Sequence, residues 1–390
     1  MQTTYLSSKP RYEILDGLRG VAAVLVVAFH LLETYSGGLT SQLINHGYLA
    51  VDFFFVLSGF VIGYAYDDRW DRMGIGTFFK RRLIRLHPML VLGTLFGLLL
   101  FYFTDGHPDF ARIADVPVWL AVVVCLVCLT LLPLPTGLDI RGWGEMNPLN
   151  GPTWSLFWEY LANIAYALFI RRFSRKALAV FVACSALLTL TLCFDIDLFG
   201  FLATRSAARN TVVGGWSLTP DQLQIGLTRL LYPFFCGLLI SRLWNAGAGR
   251  RFSVRGGFWW CALALVVLFS VPRVGGDDTS SYWMNGLYEA FCILLAFPLL
   301  VAVGAASSTR GATTAINKFL GDLSYPLYVT HFPLVYWQMS WAATHKHLPL
   351  ATHMFVSISV FLLAVAVAYA SLRLYDEPVR VWLRRKLFGR

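Results

Sequence analysis

Eleven long apolar runs, separated by short polar or basic stretches, dominate the pattern of the chain. They fall at about 13–34, 47–66, 78–103, 116–134, 153–170, 177–195, 225–244, 257–271, 286–306, 319–342 and 351–373. Runs of this length predict helices, and about 20 apolar residues let a helix cross a bilayer. The expected fold is therefore all-α, a polytopic transmembrane helical bundle. No internal repeat and no linker composition interrupts it, so one membrane domain is expected over 1–390.

The basic stretches orient the runs. "KPR" precedes the first, "DDRWDRMG" and "KRRLIR" lie between the second and third, and "RRFSRK" follows the fifth. "RLWNAGAGRRFSVR", "SSTRGATTAINK" and "RRKLFGR" follow the seventh, ninth and eleventh. Short basic loops stay on the cytoplasmic side. Parity then fails once: the third run exits outward and the fifth must enter from outside. The fourth run, 116–134, is accordingly expected to be re-entrant or to lie at the outer face, turned back by Pro117, Pro133 and Pro135. This leaves ten spans with both termini cytoplasmic; eleven spans with a charge violation is the competing arrangement. The tail 376–390 reads as a basic amphipathic helix on the inner leaflet, with an ordinary charged tail as the alternative.

Composition agrees. The chain is 57% hydrophobic and 14% charged, where soluble domains carry about 25% charged residues. The net charge of +10 sits in clusters beside apolar runs and does not imply nucleic acid. No cleavable signal peptide is expected, because the first twelve residues are polar and basic. All seven cysteines lie inside apolar runs and read as packing residues; no bound metal is expected.

Ionisable residues inside apolar runs are costly and face polar interiors. In "LDGLRGVAAVLVVAFH", residues 15–30, Arg19 and His30 are eleven apart. That is about 1100°, so they share one helix face, roughly 16 Å apart along the axis. Snorkelling to opposite interfaces would also account for each. Asp52 lies near the outer end of the second run. Arg82 and Arg85 share a face at the cytoplasmic start of the third. Glu159 lies within the first turns of the fifth run, and Ser324, Tyr325, Tyr328 and His331 fall in a tenth run broken by Pro326 and Pro333. Arginines at an inner mouth suit phosphates, and a histidine with carboxylates available suits general base catalysis, with Glu159 or Asp52 holding its tautomer. The reaction this implies joins a phosphate-bearing cytoplasmic donor to a hydroxyl activated near the outer face.

The sequence resembles the acyltransferase-3 family of integral membrane O-acyltransferases. The resemblance runs through the whole chain in order: "LDGLRGVAAVLVVAFH", "VDFFFVLSGFVIG", "FFKRRLIRLHP", "NGPTWSLFWEYLANIAY", "LGDLSYPLYVTHFPLV" and "YDEPVR". It departs in reading W-E-Y where many members carry V-E; Glu159 is kept. The resemblance implies transfer of an acyl group, usually acetyl from acetyl-CoA, to a hydroxyl of a polysaccharide or other glycoconjugate in the inner membrane. His30 becomes the catalytic histidine and Arg19 its basic partner. Arg82 and Arg85 become donor-binding residues, and Glu159 and His331 further site residues. Asp52 stays a catalytic candidate, and Tyr325, Tyr328 and Trp154 are expected to bind substrate. The donor acyl-CoA is a substrate, and no permanently bound cofactor is expected. Acceptor specificity is expected in the outer connections 135–152 and 196–224. The chain stops just after its last run, so it is expected to act alone or with a separate partner. A transporter or flippase of a lipid-linked glycan is the alternative, since broken helices and buried charges also serve transport.

Overall fold

The computed structural model describes residues 9, 11–36, 41–110, 112–202, 205, 209–245, 251–275 and 278–389. The first eight residues, Pro10, Arg390, 246–250 of the basic stretch after the seventh run, and 203–204 and 206–208 of the connection 196–224 lie outside the described residues. Among the described residues there are fourteen α-helices and no strand. They are α1 (Glu13–Glu33), α2 (Ala50–Tyr66), α3 (Ile75–Leu100), α4 (Val118–Cys128), α5 (Trp154–Leu168), α6 (Arg175–Cys193) and α7 (Pro220–Trp244). Then follow α8 (Gly257–Ser270), α9 (Trp283–Phe291), α10 (Phe297–Ala306), α11 (Ala312–Thr330), α12 (Phe332–Thr344), α13 (Leu350–Ser371) and α14 (Glu377–Phe388).

Seven of the apolar runs become helices long and apolar enough to cross a membrane. The other four depart from a simple span for physical reasons. At about 1.5 Å per residue, α5 with 15 residues and α8 with 14 fall short of a hydrocarbon core about 30 Å thick. The tenth run is two helices, α11 and α12, parted at His331, with Pro333 in the first turn of the second. The fourth run yields only the 11-residue α4, set at 111° to the short turns of Pro108–Asp115. Leu131 then adopts φ +64°, a left-handed conformation that a leucine rarely takes, where the chain turns away.

Where helices approach most closely, glycine makes room. A Cβ on Gly59 of α2 would stand 1.8 Å from Phe234 O of α7, and one on Gly237 of α7 would stand 2.0 Å from Val56 O of α2. On the α1–α11 contact, a Cβ on Gly20 would lie 2.4 Å from Leu320 O, and one on Gly321 would lie 2.6 Å from Asp16 Cβ. Small residues at such contacts let backbones touch, which substitutes for a hydrophobic driving force in lipid. Two further irregularities share one cause. A π-turn at Cys292–Ala296 precedes Pro298, and another at Leu372–Asp376 precedes Pro378. Proline has no N–H to donate and its ring crowds the carbonyl four residues back, so the helix widens ahead of it.

Candidate active site

The close α1–α11 contact sets the first arginine. Arg19 donates from Nε to Ser324 Oγ at 2.8 Å and from Nη2 to Gly321 O at 3.2 Å, and pairs with Asp16 one turn earlier at 3.1 Å. It faces a cavity enclosed by α1, α2, α3, α5 and α11. Arg82 and Arg85 of α3 enter that cavity as well, with Ser58 of α2, Ser155 and Glu159 of α5, and Tyr325 and Tyr328 of α11. Glu159 Oε1 accepts from Arg82 Nη2 at 2.7 Å and from Ser58 Oγ at 2.6 Å. Arg82 Nε is buried without a partner, although the residue is only 5% exposed. Tyr325 donates to Leu86 O at 2.5 Å.

At the far end of the cavity, the Tyr328 hydroxyl lies 2.8 Å from Ser155 Oγ and donates to Pro152 O at 3.0 Å. The Tyr328 ring stands 6.1 Å from His331, and His331 stacks on His30 with ring centroids 5.6 Å apart and planes 26° from parallel. Both imidazoles have a defined tautomer. His331 Nδ1 lies 3.0 Å from Leu327 O and 2.9 Å from Tyr328 O. Carbonyls only accept, so Nδ1 carries the proton and Nε2, buried without a hydrogen-bond partner, is a bare acceptor. His30 Nδ1 lies 2.9 Å from Glu33 Oε2. The carboxylate holds the proton on Nδ1 and leaves His30 Nε2 free to take another.

Two expected residues face elsewhere. Asp52 is fully buried in a two-point pair with Arg229, Nη2–Oδ2 at 2.7 Å and Nε–Oδ1 at 3.2 Å, so it does not orient His30. Glu159 does not either, because Arg82 and Ser58 hold it. Glu33, which the sequence reading passed over, occupies that place, and its i, i+3 spacing from His30 was the available signal. Trp154 packs under the Arg229 guanidinium, 5.2 Å from its ring centroid, and it is the next residue, Ser155, that lines the cavity.

Arg229 belongs to a second charge cluster. It also donates to Gly214 O at 3.0 Å and Tyr48 O at 2.8 Å. Nearby, Glu289 accepts from Arg273 (2.7 Å), Tyr48 (2.7 Å) and Val212 N (2.6 Å). A third cluster orders the connection after α4. Asp139 accepts from the backbone of Arg141, Gly142 and Gly144, and the Arg141 guanidinium lies 3.5 Å from the Tyr336 ring centroid. Tyr336 donates to Glu145 at 2.6 Å and packs on Phe332, which packs on His30 at 4.8 Å. Burial pushes the Glu145 carboxyl up to about 7, against the lowering pull of Tyr336 and Arg141.

Comparison with known proteins decides the family. A family model described as "Acyltransferase domain" (Acyl_transf_3) matches residues 12–373. The chain belongs to the acyltransferase-3 family. It is a multi-pass membrane protein. Among relatives, "Acyltransferase MdmB" of Streptomyces mycarofaciens is 24% identical over 83% of this chain and 79% of its own length. "Protein 2 in picA locus" of Rhizobium radiobacter is 36% identical over 46% of this chain and 93% of its own length. "Peptidoglycan O-acetyltransferase OatA" of Listeria monocytogenes is 29% identical over 29% of this chain and 17% of its own. No solved structure matches this chain. For an acyltransferase-3 protein, the chemical meaning of the cavity lies in its two ends. One holds guanidinium groups; the other holds Tyr328, whose ring contacts His331, which stacks on His30, although neither imidazole lines the cavity. Among the described residues no cluster suited to a metal ion is present.

Proposed function

We propose that this protein transfers an acyl group, acetyl first among them, from acyl-CoA to a hydroxyl of a carbohydrate or glycoconjugate at the inner membrane, with both termini cytoplasmic and α4 re-entrant from the outer side. The observation that carries the reading is a cavity with cationic groups on its walls and Tyr328 at its other end, next to the stacked, oriented imidazoles of His331 and His30. Arg19, Arg82 and Arg85 take the donor phosphates, for which guanidinium forks are suited. His30 Nε2 accepts the proton of the acceptor hydroxyl as its oxygen attacks the thioester carbonyl. The C–S bond breaks, CoA leaves as thiolate, and the imidazolium returns a proton to it. Glu33 fixes the Nδ1–H tautomer and stabilises the imidazolium in passing. His331 Nε2 and Tyr328 border the approach to His30 and position the acceptor hydroxyl. The names of MdmB and OatA support acyl transfer, and OatA's supports a glycan acceptor.

Purified protein given labelled acetyl-CoA and cell-envelope glycan should release CoA and label the glycan. His30→Ala should lower the rate by about 10²–10⁴-fold, the usual contribution of a general base, while the protein stays monodisperse. Near-normal turnover in that variant would remove His30 from the reaction. The break between α11 and α12 is also a transporter feature. Movement of a lipid-linked glycan across vesicles without CoA release would favour that reading.

A further inference from the structure

The last helix returns to α3, which forms one wall of the cavity. The α13–α14 composite, Leu350–Phe388, has 39 residues, about 58 Å at the helical rise and far beyond a hydrocarbon thickness of about 30 Å. Past the π-turn at Leu372–Asp376, α14 lies against α3, where the Arg81 guanidinium stands 5.9 Å from the Phe388 ring centroid. One line of the composite faces inward. Asp376 is fully buried and the Arg380 side chain is 19% exposed, whereas Trp382 and Arg385 stand out from the surface. Arg380 pairs with Asp376, four residues earlier. It also lies within Coulomb reach of Arg85 and Tyr325, both of which line the cavity.

The charges there do not balance. Asp16 holds Arg19, Glu159 holds Arg82, Asp322 holds Arg11 at 3.3 Å, and Asp376 holds Arg380. No described carboxylate makes an ion pair with Arg85, which stands in the field of three cations, Arg19, Arg82 and Arg380, and of one carboxylate, Asp16, already paired with Arg19. Like charges gathered this closely repel unless an anion lies between them. The unpaired Nε of the buried Arg82, on the same wall, is a further vacant donor. We propose that α14 is part of the donor site, with Arg380 and Arg85 together holding a phosphate of the acyl-CoA. This rests on the acyl-CoA reading above. It makes Arg380, some 300 residues after the α3 arginines in the chain, a substrate-binding residue.

The test is binding of CoA and of 3′-dephospho-CoA to the purified full-length protein, by calorimetry, in neutral nanodiscs and in nanodiscs containing phosphatidylglycerol. Arg380→Ala should weaken CoA binding in neutral nanodiscs about 10- to 100-fold, the range of a lost charge-assisted hydrogen bond. Arg380→Lys should restore part of it, and Trp382→Ala, on the exposed side of α14, should change nothing. Because Arg380→Ala leaves Asp376 buried without its cation, the pair Asp376→Asn with Arg380→Gln is the second variant and should show the same loss. If 3′-dephospho-CoA binds wild type weakly and Arg380→Ala no worse, the group held is the 3′-phosphate; an equal loss for both ligands makes it the diphosphate. Unchanged CoA binding in both variants overturns the proposal, as does an effect confined to phosphatidylglycerol nanodiscs, which would make Arg380 a lipid contact. Wild type that binds no CoA in any nanodisc overturns the acyl-CoA reading, and this proposal with it. Wild type that binds while the variants are unaffected overturns this proposal alone.

Discussion

Two regions of the molecule gather arginines, and they use them oppositely. Around Asp52, two cations are spent on internal partners: Arg229 meets both oxygens of one carboxylate and two backbone carbonyls, and Arg273 meets Glu289 and Tyr48. Around Arg19, Arg82 and Arg85, the cations exceed what the described residues offer them, with Arg85 in no ion pair and Arg82 Nε unsatisfied among those residues. A buried charge whose every partner is internal has nothing left for a substrate. A charge with spare donors on a cavity wall is held in readiness for one.

The comparison breaks most visibly at Asp52. Asp52→Ala leaves Arg229 buried against a lost partner, a change that costs about 3–5 kcal/mol. The folded, monodisperse yield should collapse, with any surviving protein melting well below wild type. A variant that melts normally but is inactive would make Asp52 a site residue after all. The Arg82–Glu159 pair lies between the two classes. Arg82→Ala should destabilise by a few kcal/mol, because Glu159 keeps only Ser58. Adding Glu159→Gln should recover most of the melting temperature and none of the donor affinity. If recovery extends to donor affinity, Arg82 is framework.

Arg85→Ala sharpens the contrast from the other side. It should leave the melting temperature nearly unchanged and raise KM for the acyl donor about 10- to 100-fold with little change in kcat, as for a contact made equally in ground and transition states. A large stability loss with unchanged KM would return Arg85 to the framework. The smallest effect is expected at Glu145. Its folded pKa of about 7 lies above the ordinary carboxylate value of 4.5, so the folded state holds the proton more tightly. Stability is then greatest below pH 4.5 as far as this group is concerned, and is lost as pH rises from there to about 7. Melting curves at pH 5 and pH 8 should differ more for wild type than for Glu145→Gln, which carries no such proton. Equal pH slopes would mean that Glu145 is not the group responsible.

What could be read from sequence was whatever helical periodicity controls. Arg19 and His30, placed on one face of α1 by spacing alone, do meet the same neighbour. Arg19 touches Ser324 of α11, and His30 stacks on His331 just beyond its end. The family was legible for a similar reason, since its motifs survive in order along the chain. Pairing between helices was not legible. That Asp52 meets Arg229, and Glu159 meets Arg82, depends on which helices become neighbours, and no local pattern encodes that. Glu33 was within reach at i+3 from His30 and was obscured because it closes the helix, where an acidic residue reads as a solvated end. Apolar length outran helix length in four runs: α4 and the tenth run, divided at His331, were marked by their prolines, whereas nothing local marked α5 and α8 as too short to span.

The Asp52–Arg229 pair also sets a clock on biosynthesis. Its partners are 177 residues apart in the chain. At translation speeds of about 5–20 residues per second, α2 is made roughly 9–35 s before its cation exists. A carboxylate alone in lipid is costly, so throughout that interval α2 must be sheltered by the insertion machinery or wait at the bilayer rim. Its final seat, backbone to backbone against α7 through Gly59 and Gly237, can be taken only after more than half the protein has left the ribosome.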